Sequence, residues 1–136
     1  MGLDLVRYVD LPKMADPGAT LTFIEGGRHI PFKIRRVYYL YNIRPGEKRG
    51  GHAHKLHQEL ILPLAGSFDI ILDDGYRSGR FHMDQPSRGI LFPTMVWHEL
   101  ENFSEGAVCL VHASLLYDAA DYYRQYDTFK AASHGD

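Results

Sequence analysis

Between turn signals the chain runs in short stretches rich in Val, Ile, Leu, Tyr and Phe: Thr20 to Glu25, Arg36 to Asn42, Leu60 to Leu64, Ser67 to Leu72, Tyr76 to Met83, Gly89 to Phe92, Trp97 to Phe103 and Ala107 to Ser114. Runs of this length and composition predict strands. The breaks between them include Ala65-Gly66, Asp73-Asp74-Gly75, Pro93-Thr94 and Ser104-Glu105-Gly106. Asp and Gly tolerate positive φ and so favour tight hairpin turns. No helical period intervenes, which predicts an all-β antiparallel sandwich or barrel. From Tyr117 onward the period changes. Tyr122, Tyr126 and Phe129 fall at i, i+4 and i+7, and Asp118 stands where a cap would be. This predicts one short C-terminal helix packed on the barrel. Ala131 to Asp136 are small and polar and are expected to fray.

Composition narrows the picture further. A chain of 136 residues is the size of one domain, and residues 1–136 are read as one unit. The hydrophobic fraction of 45% and charged fraction of 24% are those of an ordinary globular protein. Net charge is only -2, and the 15 basic residues are scattered, which argues against a nucleic-acid partner. A single anionic ligand needs only a few local Arg and Lys side chains. Cys109 has no partner for an internal disulfide. The sequence shows neither a basic-then-apolar leader nor an apolar run of about 18 residues, so no membrane segment and a cytoplasmic location are expected.

The chemistry concentrates in the histidines. His52 and His54 are two apart, and in a strand that spacing sends both imidazoles to one face. Their neighbours repeat a known pattern: Gly46 lies six before His52, Glu59 five after His54, and Gly66 seven after Glu59. Gly89, Pro93, His98 and Asn102 match the second half of that pattern, with Met95 in place of its middle glycine. Together these resemble the two motifs of the cupins, small antiparallel β-barrels or jelly rolls. The resemblance implies that His98 lies near His52, His54 and Glu59. Three imidazoles and a carboxylate could hold a divalent transition metal. His57, His82, His112 and His134 have no such context and are assigned no role.

A narrower resemblance spans nearly the whole chain. Ile34-Arg35-Arg36-Val37-Tyr38-Tyr39, Arg49-Gly50-Gly51-His52-Ala53-His54-Lys55, Asp73-Asp74-Gly75, Val96-Trp97-His98-Glu99 and the ending Tyr117 to Asp127 resemble the sugar-nucleotide 3,4-ketoisomerases. That family implies a dTDP-linked 4-keto-6-deoxyhexose as substrate, no required cofactor and a homodimer, with the N-terminal strand before Asp16 the candidate for exchange between subunits. It implies His52 and His54 as the catalytic pair: His54 for the carbon proton, His52 for the two oxygens, an order that sequence leaves open. Arg49 and Lys55 are carried over as diphosphate ligands, and Tyr38, Tyr39 and Trp97 as stacking or hydrogen-bonding groups, with Glu59 and His98 beside them. Arg35-Arg36 is read as a solvated edge, outside the site. Two departures stand out. Glu59 replaces a glutamine frequent in the family and restores a metal ligand, and Asp16-Pro17-Gly18-Ala19-Thr20 leaves the C4 configuration of the product open.

Three rival functions share these residues. The first is a metal-dependent cupin oxygenase or isomerase using His52, His54, Glu59 and His98. The second is a sugar-nucleotide 3,5-epimerase. The third is a module that binds a sugar nucleotide without turning it over.

Overall fold

The computed structural model describes residues 2–135. A 3₁₀ turn at Gly2–Leu5 leads into β1 (Arg7–Asp10) and the hairpin of β2 (Lys13–Ala15) and β3 (Thr20–Thr22). Then follow β4 (Arg36–Leu40), β5 (Arg49–His54), β6 (Glu59–Ala65), β7 (Phe68–Asp73), β8 (Ser78–Met83), β9 (Arg88–Phe92), β10 (Trp97–Glu101) and β11 (Val108–Ala113). A second 3₁₀ turn at Ala119–Asp121, the two-residue β12 (Tyr122–Tyr123) and helix α1 (Tyr126–Ser133) complete the chain.

Two five-stranded antiparallel sheets result, ordered β1-β9-β6-β11-β4 and β12-β5-β10-β7-β8. Ile61 and Val111 of the first sheet and Phe68, Ile70, Leu72 and Leu100 of the second meet in one core. Burying apolar side chains on both inner faces holds the layers together. Among the described residues the sheets do not join into one hydrogen-bonded ring, so the expected barrel takes the form of a two-sheet jelly roll. The Asp73-Asp74-Gly75 turn forms as its chemistry dictates. Asp74 Oδ1 accepts from the Tyr76 and Arg77 amides, and Gly75 takes φ of 92°.

A second apolar layer lies outside the first sheet. Ile30 and Phe32, with Ile24 and Ile34 beside them, pack on Val9, Leu60, Leu62 and Leu91. The β2–β3 hairpin pairs only with itself and leaves Met14 and Leu21 more than half exposed. Beside it runs a cavity of about 910 Å³ lined by Phe23, Ile34, Leu62, Leu64 and Leu110.

The C-terminus departs from the sequence expectation in two ways. The helix starts at Tyr126, and Asp118 caps only the short 3₁₀ turn by accepting from the Ala120 amide. Tyr122 lies in extended backbone paired to His54, because that strand edge offers hydrogen bonds which a helix starting at Tyr117 would forgo. The described part of the tail is placed against the fold. Ala131 to Ser133 complete α1, His134 stacks 4.1 Å from Tyr76, and Gly75 O accepts from His134 Nε2 at 2.7 Å. Asp136 lies outside the described residues.

Candidate active site

Strand alternation decides which side chains enter the space between the sheets. On β4, Arg36, Tyr38 and Leu40 turn inward while Val37 and Tyr39 face solvent. On β5, His52 and His54 turn inward, and Ala53 between them faces out beneath Phe129 of α1. His98 pairs with His52 across the β5–β10 ladder, where the register shifts between His98 and Glu99. Gly50 and Gly51 absorb that bulge with φ of 86° and 76°. A Cβ on Gly50 would stand 2.8 Å from the His98 carbonyl oxygen.

The inward residues converge. The ring centroids of His52 and His98 are 4.3 Å apart, and those of His52 and His54 4.9 Å. Tyr122 covers the pair from β12, its ring 5.0 Å from His52 and 4.5 Å from His54. Glu59 is wholly buried, and its Oε2 accepts from the Tyr38 hydroxyl at 2.7 Å. Its Oε1 lies 3.5 Å from His98 Nε2.

Burial, with smaller contributions from His98 and His54, pushes His52 down to about 3, and burial pushes His98 down to about 4. Both rings are therefore neutral at pH 7, each with one N–H and one lone pair. Burial by itself would raise Glu59. The His54, His57 and His98 rings gathered around it outweigh burial and hold the carboxyl well below the usual range. Burial and Glu59 push the Tyr38 phenol far up, so it stays a donor.

The sequence-derived candidates divide by this alternation. His52, His54, Glu59, His98 and Tyr38 meet in the interior. Tyr39 does not, because its neighbour Tyr38 took the inward position; it is exposed against Tyr41. Trp97 likewise yields to His98 and packs outside its sheet, between Tyr126 and Phe129. Arg49 is half exposed, pairs with Glu47 at 3.2 Å, and borders a cavity of about 370 Å³ with Tyr41 and Arg44. Lys55 is exposed, its ammonium 4.8 Å above the Tyr123 ring.

Four residues given no role in the sequence reading belong here. His57 and Asp121 are buried against His54. Tyr122 forms the cover. Arg36 enters beside Tyr38, 4.8 Å from that ring and 5.4 Å from Tyr117, and donates to the Tyr122 hydroxyl at 3.4 Å. Period-two alternation from Tyr38 was signal enough to find Arg36. For His57 and Asp121 no local signal existed, since they meet only through the β12–β5 pairing.

Arg36 Nε, His52 Nε2, His54 Nε2, Glu59 Oε1 and His98 Nδ1 are buried without a hydrogen-bond partner in the chain. Buried polar atoms are otherwise nearly always paired, so their gathering in one place marks a site built for a polar ligand. The larger cavity of about 910 Å³ lies on the outer face of the first sheet with a mostly apolar lining, and is a poorer candidate for chemistry. The inner group also fits a metal: ring nitrogens of His52, His54 and His98 lie within 4.8 Å of one another, and Glu59 offers its unpaired oxygen. A divalent ion there would supply Lewis acidity toward a substrate oxygen.

Comparison with known proteins places this geometry. Residues 4–134 match the family described as FdtA: WxcM-like, C-terminal. The TDP-4-oxo-6-deoxy-alpha-D-glucose-3,4-oxoisomerase of Aneurinibacillus thermoaerophilus is 41% identical over 91% of this chain and 89% of its own length. The chain belongs to the sugar-nucleotide 3,4-ketoisomerase family. Among solved members, the 3,4-ketoisomerase QdtA of Thermoanaerobacterium thermosaccharolyticum in complex with TDP superposes with a TM-score of 0.93. The two are 36% identical over 96% of this chain and 95% of that one. A histidine-to-asparagine variant of QdtA in complex with TDP-4-keto-6-deoxyglucose also superposes at 0.93, with 35% identity over 96% and 94% of the two chains. The ketoisomerase family thus shares with this chain the whole two-sheet frame that carries the histidines. Among the described residues no helix is long and apolar enough to cross a membrane.

Proposed function

We propose that this chain moves the ketone of a TDP-linked 4-keto-6-deoxyhexose from C4 to C3, with His54 and His52 transferring the protons. The observation that carries this reading is the inward pair itself: two adjacent imidazoles whose Nε2 atoms are buried and unpaired, in a member of the ketoisomerase family. His54 lies against Asp121 and Glu59, and carboxylates stabilise the imidazolium it becomes when it takes a carbon proton. Its Nε2 removes the C3 proton, and the C–H electrons form the C3–C4 double bond of an enediolate with the charge on O4. His52, neutral with one N–H and one lone pair, gives a proton to O4 and takes one from O3. The ketone forms at C3 as His54 returns its proton to C4. Every proton is accounted for, and no redox step occurs. Glu59, His98 and Tyr38 line the pocket, and Arg36, Arg49 and Lys55 supply positive charge for the diphosphate. Binding the remote nucleotide holds the sugar in reacting geometry.

The test is NMR of TDP-4-keto-6-deoxyglucose in deuterated buffer with the wild type, His52→Asn and His54→Asn. The reading expects a C3 ketone with wild type, loss of turnover in both variants, and no exchange at C5. Exchange at C5 means a 3,5-epimerase. An unchanged spectrum with retained binding means a binding module. A second reading, metal assistance by His52, His54, Glu59 and His98, rests on the closeness of those donors. Stoichiometric metal in the purified protein and loss of turnover with chelator would establish it.

The chain works as a homodimer in this proposal. Support comes from the hairpin β2–β3, which pairs with neither sheet, and from the apolar groove beside it. A nucleotide-linked substrate and the unpaired Cys109 fit a cytoplasmic setting.

A further inference from the structure

We infer that Asp121 and His57 are positioning residues for the proton transfer, closing with His54 and Glu59 a ring that fixes which nitrogen of His54 faces the substrate. This inference rests on the ketoisomerase reading above. The ring can be followed atom by atom. Asp121 Oδ2 lies 2.7 Å from His57 Nδ1 and 3.2 Å from His54 Nδ1. Glu59 Oε2 lies 3.2 Å from His57 Nε2 and 3.5 Å from His54 Nε2. None of the four side chains is more than 4% exposed.

Each carboxylate is fixed from outside the ring. The Leu56 amide donates to Asp121 Oδ1 at 2.6 Å, and the Lys55 amide donates to the Asp121 carbonyl at 2.7 Å. The Tyr38 hydroxyl donates to Glu59 Oε2. Two buried carboxylates this close are costly unless N–H groups lie between them. The imidazoles provide those groups, and the distances divide their work. Both Nδ1 atoms face Asp121, which is acceptor-only when ionised, so both carry hydrogen there. His57 then reaches Glu59 with its other nitrogen at 3.2 Å, so one ring bridges the two carboxylates. His54 Nε2 is longer, at 3.5 Å, and has no hydrogen-bond partner. Its lone pair is the one left for carbon chemistry. A histidine whose far nitrogen is held by a carboxylate keeps one tautomer and one ring plane, which is what a carbon base requires.

His57 has a distinct part. Its ring lies 3.4 Å from that of His54 at 34°, so it also fills the space into which His54 would otherwise rotate. Without it, Glu59 would keep its charge in the interior with one counter-group fewer.

Two variants test this, with turnover, KM, TDP affinity and thermal unfolding measured on each. Asp121→Asn keeps the oxygen that accepts from Leu56 but can present an amide to His54, which turns the ring to the wrong tautomer. The expected result is kcat lower by roughly 10²-fold or more, with KM and TDP affinity within about threefold. His57→Leu should lower kcat by at least about tenfold with KM and TDP affinity within about threefold, and should lower the unfolding temperature, part of which Glu59→Gln in the same chain restores by removing the stranded charge. Wild-type kcat in Asp121→Asn or in His57→Leu overturns the inference while leaving the ketoisomerase reading intact. Should Asp121→Asn not fold, the His57 comparison decides alone. An inert wild type takes both down.

Discussion

Trp97 and His98 are covalent neighbours that serve opposite faces of β10: the His98 ring lies 4.3 Å from His52 inside, and the Trp97 ring lies 5.8 Å from Phe129 outside. The indole is therefore a fastener for the C-terminal helix. Trp97→Ala should cost about 3–5 kcal/mol of stability, as large core truncations do, while the folded protein keeps its affinity for TDP. Guanidinium unfolding paired with calorimetric titration checks both halves.

Acid should weaken the fold before it reaches the carboxylate range. His52 and His98 sit near 3 and 4 in the folded chain against 6.5 for a free histidine, so the unfolded state binds protons that the native state refuses. A depressed histidine contributes its full stability above about 6.5 and loses it as pH falls toward the folded values. The slope is on the order of 1.4 kcal/mol per pH unit for each ring. Glu59, also held low, adds loss of the same sign below its ordinary 4.5. Exposed His82, raised by Asp69, works weakly the other way. Denaturant midpoints at pH 7 and pH 5 decide the matter, a flat profile counting against the buried neutral pair.

Arg36 should matter more for the nucleotide than the exposed cations do. It enters the interior, its Nε is buried and unpaired, and among the described residues no carboxylate lies within 4.0 Å of it. A guanidinium so placed is ready for an anion. Arg36→Met should weaken TDP binding roughly 10- to 100-fold, the range of a lost charged hydrogen bond. Arg49→Met and Lys55→Met should each cost less, with a strong dependence on salt. Titrations at two ionic strengths separate the cases.

The exposed hairpin offers a test of assembly. Leu21→Glu, with or without Met14→Glu, should turn a dimer into a monomer by placing charge on the strip that the partner would cover. Sedimentation velocity reads the outcome directly, and a wild type that is monomeric at high concentration would refute the assembly.

Much of the fold was legible because strands and turns are local. Apolar runs and Asp-Gly turns placed β6 through β11 to within a few residues. β5 is poor in apolar residues and was read only from its histidines. Tyr122 was misread because Tyr122, Tyr126 and Phe129 satisfy a helical spacing by accident; the backbone of Tyr122 is claimed by β5 instead. In the site, the HxH pair, Tyr38, Glu59 and His98 were legible from their motifs and converge, whereas Arg49 and Lys55 beside the pair stay at the surface. His57 looked like any stray histidine, because its partner Asp121 is more than sixty residues away in sequence and the pairing exists only once β12 has docked.

Gly50 and Gly51 carry a consequence for anyone wishing to move this chemistry elsewhere. With a carbonyl where the first side chain would be and both backbones in the left-handed region, the aim of the two imidazoles depends on residues that have no side chains at all. A graft of the histidines alone onto another two-sheet scaffold would reproduce the functional groups and lose their direction. The portable unit is the five-residue stretch Gly50 to His54, together with an opposing strand that accepts its kink.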